Sequence, residues 1–105
     1  MSSIKESDWN QFKEIKKKAL ERFYRQALEE FAAIVQDQSS TARDRYMSLC
    51  ENVKKTDRRL ITIFDAHSRS KAREQLWMIC DAGLVEEAEL EGLSEELREA
   101  TKPRL

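Results

Sequence analysis

Cys50, His67 and Cys80 are the whole inventory of thiol and imidazole side chains in the chain, so any chemistry built on soft ligands or an activated nucleophile falls to these three. No pair of them stands at CxxC or HxxxH spacing, and a zinc site needs three or four clustered ligands. No metal site is expected. Asp65-Ala66-His67 sets a carboxylate beside an imidazole, but a loop histidine next to a helix end reads as a solvated or capping group rather than a proton shuttle. Phosphate-cradling loops need glycines ahead of a helix, and Gly83 and Gly92, the only two, lie in the acidic last quarter. The residues therefore describe a protein with no catalytic site and no cofactor.

What remains is charge. The net charge is −1, yet residues 1–80 carry 16 Lys and Arg against 12 Asp and Glu, while residues 81–105 carry 3 against 8. Arg58, Arg59, Arg69, Lys71 and Arg73 form a basic patch around the start of a third helix, where positive charge opposes the helix dipole and a phosphate or an acidic partner would offset that cost. A small nucleic-acid-associated regulator using this patch is thus one reading. Against it stand a pI near 5.9 and the lack of two short helices joined by a glycine-containing turn. Lys13, Lys16, Lys17, Lys18, Arg22 and Arg25, beside Trp9, Phe12 and Phe23, also suit a helix lying on an anionic membrane, though Glu14 and Glu21 weaken that field.

The elements that place these residues are helices. With two glycines and one proline in 105 residues, the turns that many short strands require are missing. Apolar residues recur by threes and fours, which predicts an all-α single domain: a long antiparallel hairpin over residues 8–65, a third packing helix over 69–83 and a short acidic helical tail over 85–101. Ser7 or Asp8 is the expected first cap, Ser40 or Thr41 the second, and Ser68 or Ser70 the third. Gly83 supplies a left-handed C-cap, with Leu84 folding back on the last turn. Fraying is expected around Pro103.

The longest apolar runs, Phe31 to Val35 and Leu76 to Cys80, are far shorter than the roughly 20 residues that span a bilayer. The first residues contain no apolar core of a signal peptide, so a cytoplasmic location with reduced cysteines is expected. A four-residue turn puts facing positions of the hairpin at numbers that add to about 77. That pairs Phe31 with Tyr46 and Tyr24 with Val53, and it gives Asp57 a partner in Lys16 or Lys17. Leu20, Tyr24, Ala27, Phe31 and Ile34 form the expected seam. Phe23, Leu28 and Val35 flank it, more apolar surface than one hairpin partner covers. These three are the expected partner interface of a protein-interaction or adaptor module that self-associates as a homodimer through helix one. The rival is a monomer in which the third helix and the tail cover the second face.

Overall fold

The computed structural model describes residues 4–102. Its elements are α1 (Glu6–Gln36), α2 (Ala42–Phe64), a 3-10 turn (Arg69–Lys71) leading into α3 (Ala72–Asp81), a second 3-10 turn (Glu87–Leu90) and α4 (Glu95–Glu99). No strand occurs among the described residues, and the chain is all-α as its periodicity predicts. The expected fraying at Pro103 lies outside the described residues.

Local chemistry explains the boundaries, including those the sequence misplaces. α1 starts after Lys5 with no side-chain cap. Asp8 does not cap it, because its carboxylate crosses the fold and accepts from Ser94 N at 2.8 Å and Ser94 Oγ at 2.6 Å. At the hairpin turn Asp37 accepts from Ser39 N, Ser39 Oγ and Ser40 Oγ, and those bonds hold its carboxyl below the ordinary carboxylate range. Thr41 Oγ1 accepts from Asp44 N and caps α2, as expected. Ser68 and Ser70 cap nothing. Their hydroxyls face each other at 3.2 Å, and the chain enters α3 through the 3-10 turn instead. Gly83 has φ of 73° and completes a Schellman cap, with Leu84 N bonded to Ile79 O and Gly83 N to Cys80 O. The acidic stretch before Leu93 makes only the short 3-10 turn, closed by a reciprocal capping box between Glu86 and Glu89.

The core gathers at one end of the hairpin. Phe12, Ile15, Ala19 and Phe23 of α1 meet Phe64 of α2, Leu76 and Ile79 of α3, and Leu84 and Leu97 of the tail. Phe23 stands edge-on to Phe64 with ring centroids 5.7 Å apart. Gln75, also buried, donates to Ile63 O at 2.9 Å and ties α3 to the end of α2. Beyond Ala27 neither α3 nor the tail contributes to the buried set, and α1 and α2 run on as a two-helix arm. The molecule measures 52 × 27 × 25 Å, and its radius of gyration of 16.8 Å exceeds the 13 Å or so of a sphere-like domain of this length.

The acidic tail is fastened to the basic side of α1. Arg22 donates to both Glu89 oxygens at 2.6 and 3.0 Å and to Leu84 O at 2.9 Å, with Lys18 at 3.8 Å from Glu89. The Arg22 hydrogen bonds, aided by Glu86 N–H and the nearby positive charges, hold the Glu89 carboxyl below its ordinary value of 4.5 despite partial burial. A depressed folded-state value means stabilisation that is full above the unfolded value and lost as pH falls through the folded one. Glu89→Gln is therefore expected to cost about 1.5–3 kcal/mol at pH 7. The gap between variant and wild type should narrow as pH falls below 4.5 and Glu89 takes up its proton. Urea unfolding at neutral and acid pH measures this, and a gap that does not narrow as pH falls below 4.5 would contradict the assignment.

Candidate functional site

The five residues of the basic patch do not form one open surface. Arg69 Nε donates to Ile4 O at 2.8 Å, Arg73 Nη2 lies 3.2 Å from Glu96, and Arg59 sits over the Phe23 ring at 5.5 Å. Lys71 is exposed. Arg58 and Arg59, with Lys55 and Thr62, line an open furrow of about 410 Å³ on α2 alone. Three of the five thus have intramolecular work, and Arg73 and Arg69 serve the tail and the start of α1.

The lone imidazole is likewise engaged. His67 packs against Trp9 with ring centroids 5.5 Å apart, and its Nδ1 lies 3.5 Å from Lys16 Nζ. Lys16 donates to Ala66 O at 2.8 Å, so it caps the C-terminal end of α2 from a neighbouring helix. Partial burial lowers its pKa, and Asp65 opposes that shift. Asp57, expected to be held by Lys16 or Lys17, is exposed instead, with no hydrogen bond or ion pair to another described residue. No group of three or more potential metal ligands occurs among the described residues. Cys50 and Cys80 are both thiols, half-buried, and burial pushes the Cys80 thiol up, away from the nucleophilic thiolate.

The feature left over is the arm, and it is built with its apolar residues in the wrong place for a self-contained hairpin. Leu28, Val35, Tyr46 and Met47 are 65%, 49%, 67% and 52% exposed, and Tyr24 and Val53 are also exposed. The expected partner-interface set is corrected at one position: Phe23 is only 3% exposed and belongs to the core, while Leu28 and Val35 are open. The buried stripe of α1 is Phe12, Ile15, Ala19, Phe23 and Ala27; of the expected seam Ala27 is buried, Leu20, Phe31 and Ile34 are half-buried and Tyr24 is exposed, because α3 and the tail pack on the Ala19 and Phe23 side as well as α2. Facing positions also differ. Lys16 meets Ala66, Phe23 meets Arg59 and Arg45 meets Val35, so contacting numbers add to 80–82 rather than 77, because side chains on both helices lean toward their own N-termini.

The half-buried residues of the arm include both apolar ones, Phe31, Ile34, Leu49 and Cys50, and polar ones, Ser48, Asn52 and Thr56. Phe23, Gln26, Ala27, Glu30, Thr56 and Arg59 line a narrow groove along one side of the seam. Arg45 reaches back to Val35 O at 2.6 Å, and Asn52 and Ser48 bond to each other on the half-buried part of α2. At 100° per residue Gln26 and Glu30 fall about 60–100° to one side of Ala27, and Tyr24, Leu28 and Phe31 about 40–100° to the other. On α2, Arg59 falls about 60° to one side of Thr56, and Val53, Tyr46 and Asp57 about 60–100° to the other. Both apolar stripes therefore share the face opposite the groove. Arg22 and Ile15, which hold the tail and the core, lie on the groove side of α1, so that face is bare along its length. A surface depression of about 620 Å³ runs along α1 beside Leu20 and Tyr24 and is lined by α1 alone. With no opposing wall it suits a docked helix better than an enclosed small molecule.

Sequence reasoning located the helices that carry this face but not Tyr46 and Val53, which it used as internal hairpin contacts. The signal was present in Asn52 and Thr56. Polar residues at seam spacing show that the α2 apolar stripe does not face α1. No helix among the described residues is long and apolar enough to cross a membrane. Compared with known proteins, the chain matches no family model, no curated protein and no solved structure.

Proposed function

We propose that the chain is a non-enzymatic interaction module, and that its working element is the bare face of the arm, where it self-associates. The observation that carries this reading is the set of large apolar side chains that the arm leaves in solvent: Tyr24, Leu28, Val35, Tyr46 and Val53. Burying a large apolar side chain is worth about 1.5–3 kcal/mol, and a stripe of them on one face is an interaction surface by composition. The base holds a complete core without the arm's contribution. An arm that serves only its own stability would turn these residues inward.

A face about 15 residues long and two helices wide presents on the order of 500 Å² per copy. That is below the roughly 800 Å² per partner of a standard interface, so association on the order of micromolar is expected. Sedimentation equilibrium over a wide concentration range measures it. Leu28→Glu and Tyr46→Glu should shift the population toward monomer with the fold intact, whereas Leu76→Glu should unfold the subunit. A 12.3 kDa species at all concentrations up to high micromolar would refute self-association. Two folded arm variants that associate as well as wild type would place the interface elsewhere.

A further inference from the structure

Identical flat faces meet about a twofold axis lying in the plane between them, either along the arm or across it. An axis along the arm leaves both arms pointing the same way and sets α1 of one copy on α2 of the other. Such a rotation moves nothing lengthwise, so each α1 residue meets in the second copy those α2 residues that stand level with it in its own hairpin. An axis across the arm instead reverses the second arm and sets α1 on α1 and α2 on α2.

The side chains distinguish the two. With contacting numbers adding to about 81, the lengthwise axis puts Leu20 against Ile61, Leu28 against Val53 and Val35 against Tyr46 of the second copy, apolar on apolar at these three levels. The one charged interruption of the α2 stripe is Asp57, exposed and without an ion-pair partner among the described residues. At the register of those three pairs its level on α1 is Tyr24, next to Arg25, whose one contact is an exposed 3.7 Å approach to Glu21 of its own helix. A crosswise axis set at the middle of the apolar stretch brings Lys54 against Lys54 and leaves Asp57 against apolar surface.

We infer that the arm pairs with a second copy of this chain lying in the same direction, as a four-helix bundle in which Arg25 of each copy meets Asp57 of the other. This rests on the self-association reading above and adds the partner's orientation and register. Asp57 is then a specificity residue: it costs apolar area in the stripe and penalises the reversed arrangement, in which no cation stands opposite it.

A charge-swap series in sedimentation equilibrium tests it, with circular dichroism confirming that each exposed-site variant keeps its helix. Arg25→Glu and Asp57→Arg should each weaken association about tenfold or more, by setting like charges together. The double variant should return to within about threefold of wild type, because the swapped pair is again complementary. A second readout uses Ser39→Cys in a Cys50→Val, Cys80→Ala background, spin-labelled at the hairpin turn. Same-direction arms put the two labels about 10–20 Å apart, whereas reversed arms put them about 35 Å apart. A dimer without rescue in the double variant, or with the longer distance, overturns the orientation and leaves self-association standing. A monomer at every concentration overturns both.

Discussion

Phe23→Ala should lower the free energy of unfolding by about 3–5 kcal/mol, the loss expected for truncating a buried aromatic with limited room for collapse. Phe23 is buried at the point where α1, the end of α2 and α3 converge, it stands edge-on to Phe64, and Arg59 covers its ring. Removing the ring leaves a void bounded by three helices and deprives Arg59 of its cation–π contact. Leu28→Ala, five positions along the same helix, should change stability by no more than about 0.5 kcal/mol in the monomer, since that side chain is already in water. Urea unfolding at low micromolar concentration measures both without a contribution from association. Similar losses for the two variants would mean that the arm face is covered within one chain.

That contrast also shows where the sequence was legible. Periodicity and cap residues suffice for the helices, the hairpin turn, Thr41 as a cap and the Gly83 Schellman motif, because each depends on a few neighbouring residues. The face of α1 that turns inward is decided by how many elements pack on it. Leu20, Tyr24, Ala27, Phe31 and Ile34 have the spacing of a coiled-coil seam, and a two-helix structure would bury them. α3 and the tail require Ile15, Ala19 and Phe23 on an adjacent arc, which turns Tyr24 and Leu28 to solvent. The information lay in Asn52 and Thr56, and reading it needs the hairpin register that a turn length alone misjudges by several residues.

Charge was harder to read for a related reason. Arg22, Arg69 and Arg73 look like parts of a basic surface in one dimension, and the basic body next to an acidic tail invites a binding face. In three dimensions the tail folds back, and Glu89 and Glu96 meet Arg22 and Arg73. The strongest of these pairs, Arg22 with Glu89, joins the basic body to the acidic tail. On α2, Asp57 has no such partner among the described residues and stands among apolar neighbours.

Asp8→Ala should release the tail at a cost of about 2–4 kcal/mol, combining a lost charge-assisted bond with a backbone N–H left short of an acceptor. The Asp8 carboxylate, 3% exposed, is one of the two buried polar side chains of the core, and it takes both the N–H and the hydroxyl of Ser94. Ser94 is the cap of α4, accepting from Leu97 N at 3.3 Å, so a single carboxylate orients the residue that starts the last helix. Leu97, buried beneath it, then loses the backbone that holds it in place. Asp8→Asn keeps one carbonyl oxygen for Ser94 and should cost less, about 1–2 kcal/mol. Hydrogen exchange should locate the loss: amides over residues 94–100 should open faster in Asp8→Ala while those of the arm stay at the wild-type rate. An Asp8→Ala protein within 0.5 kcal/mol of wild type, or one whose arm opens first, would show that the link between the start of α1 and α4 does not hold the tail.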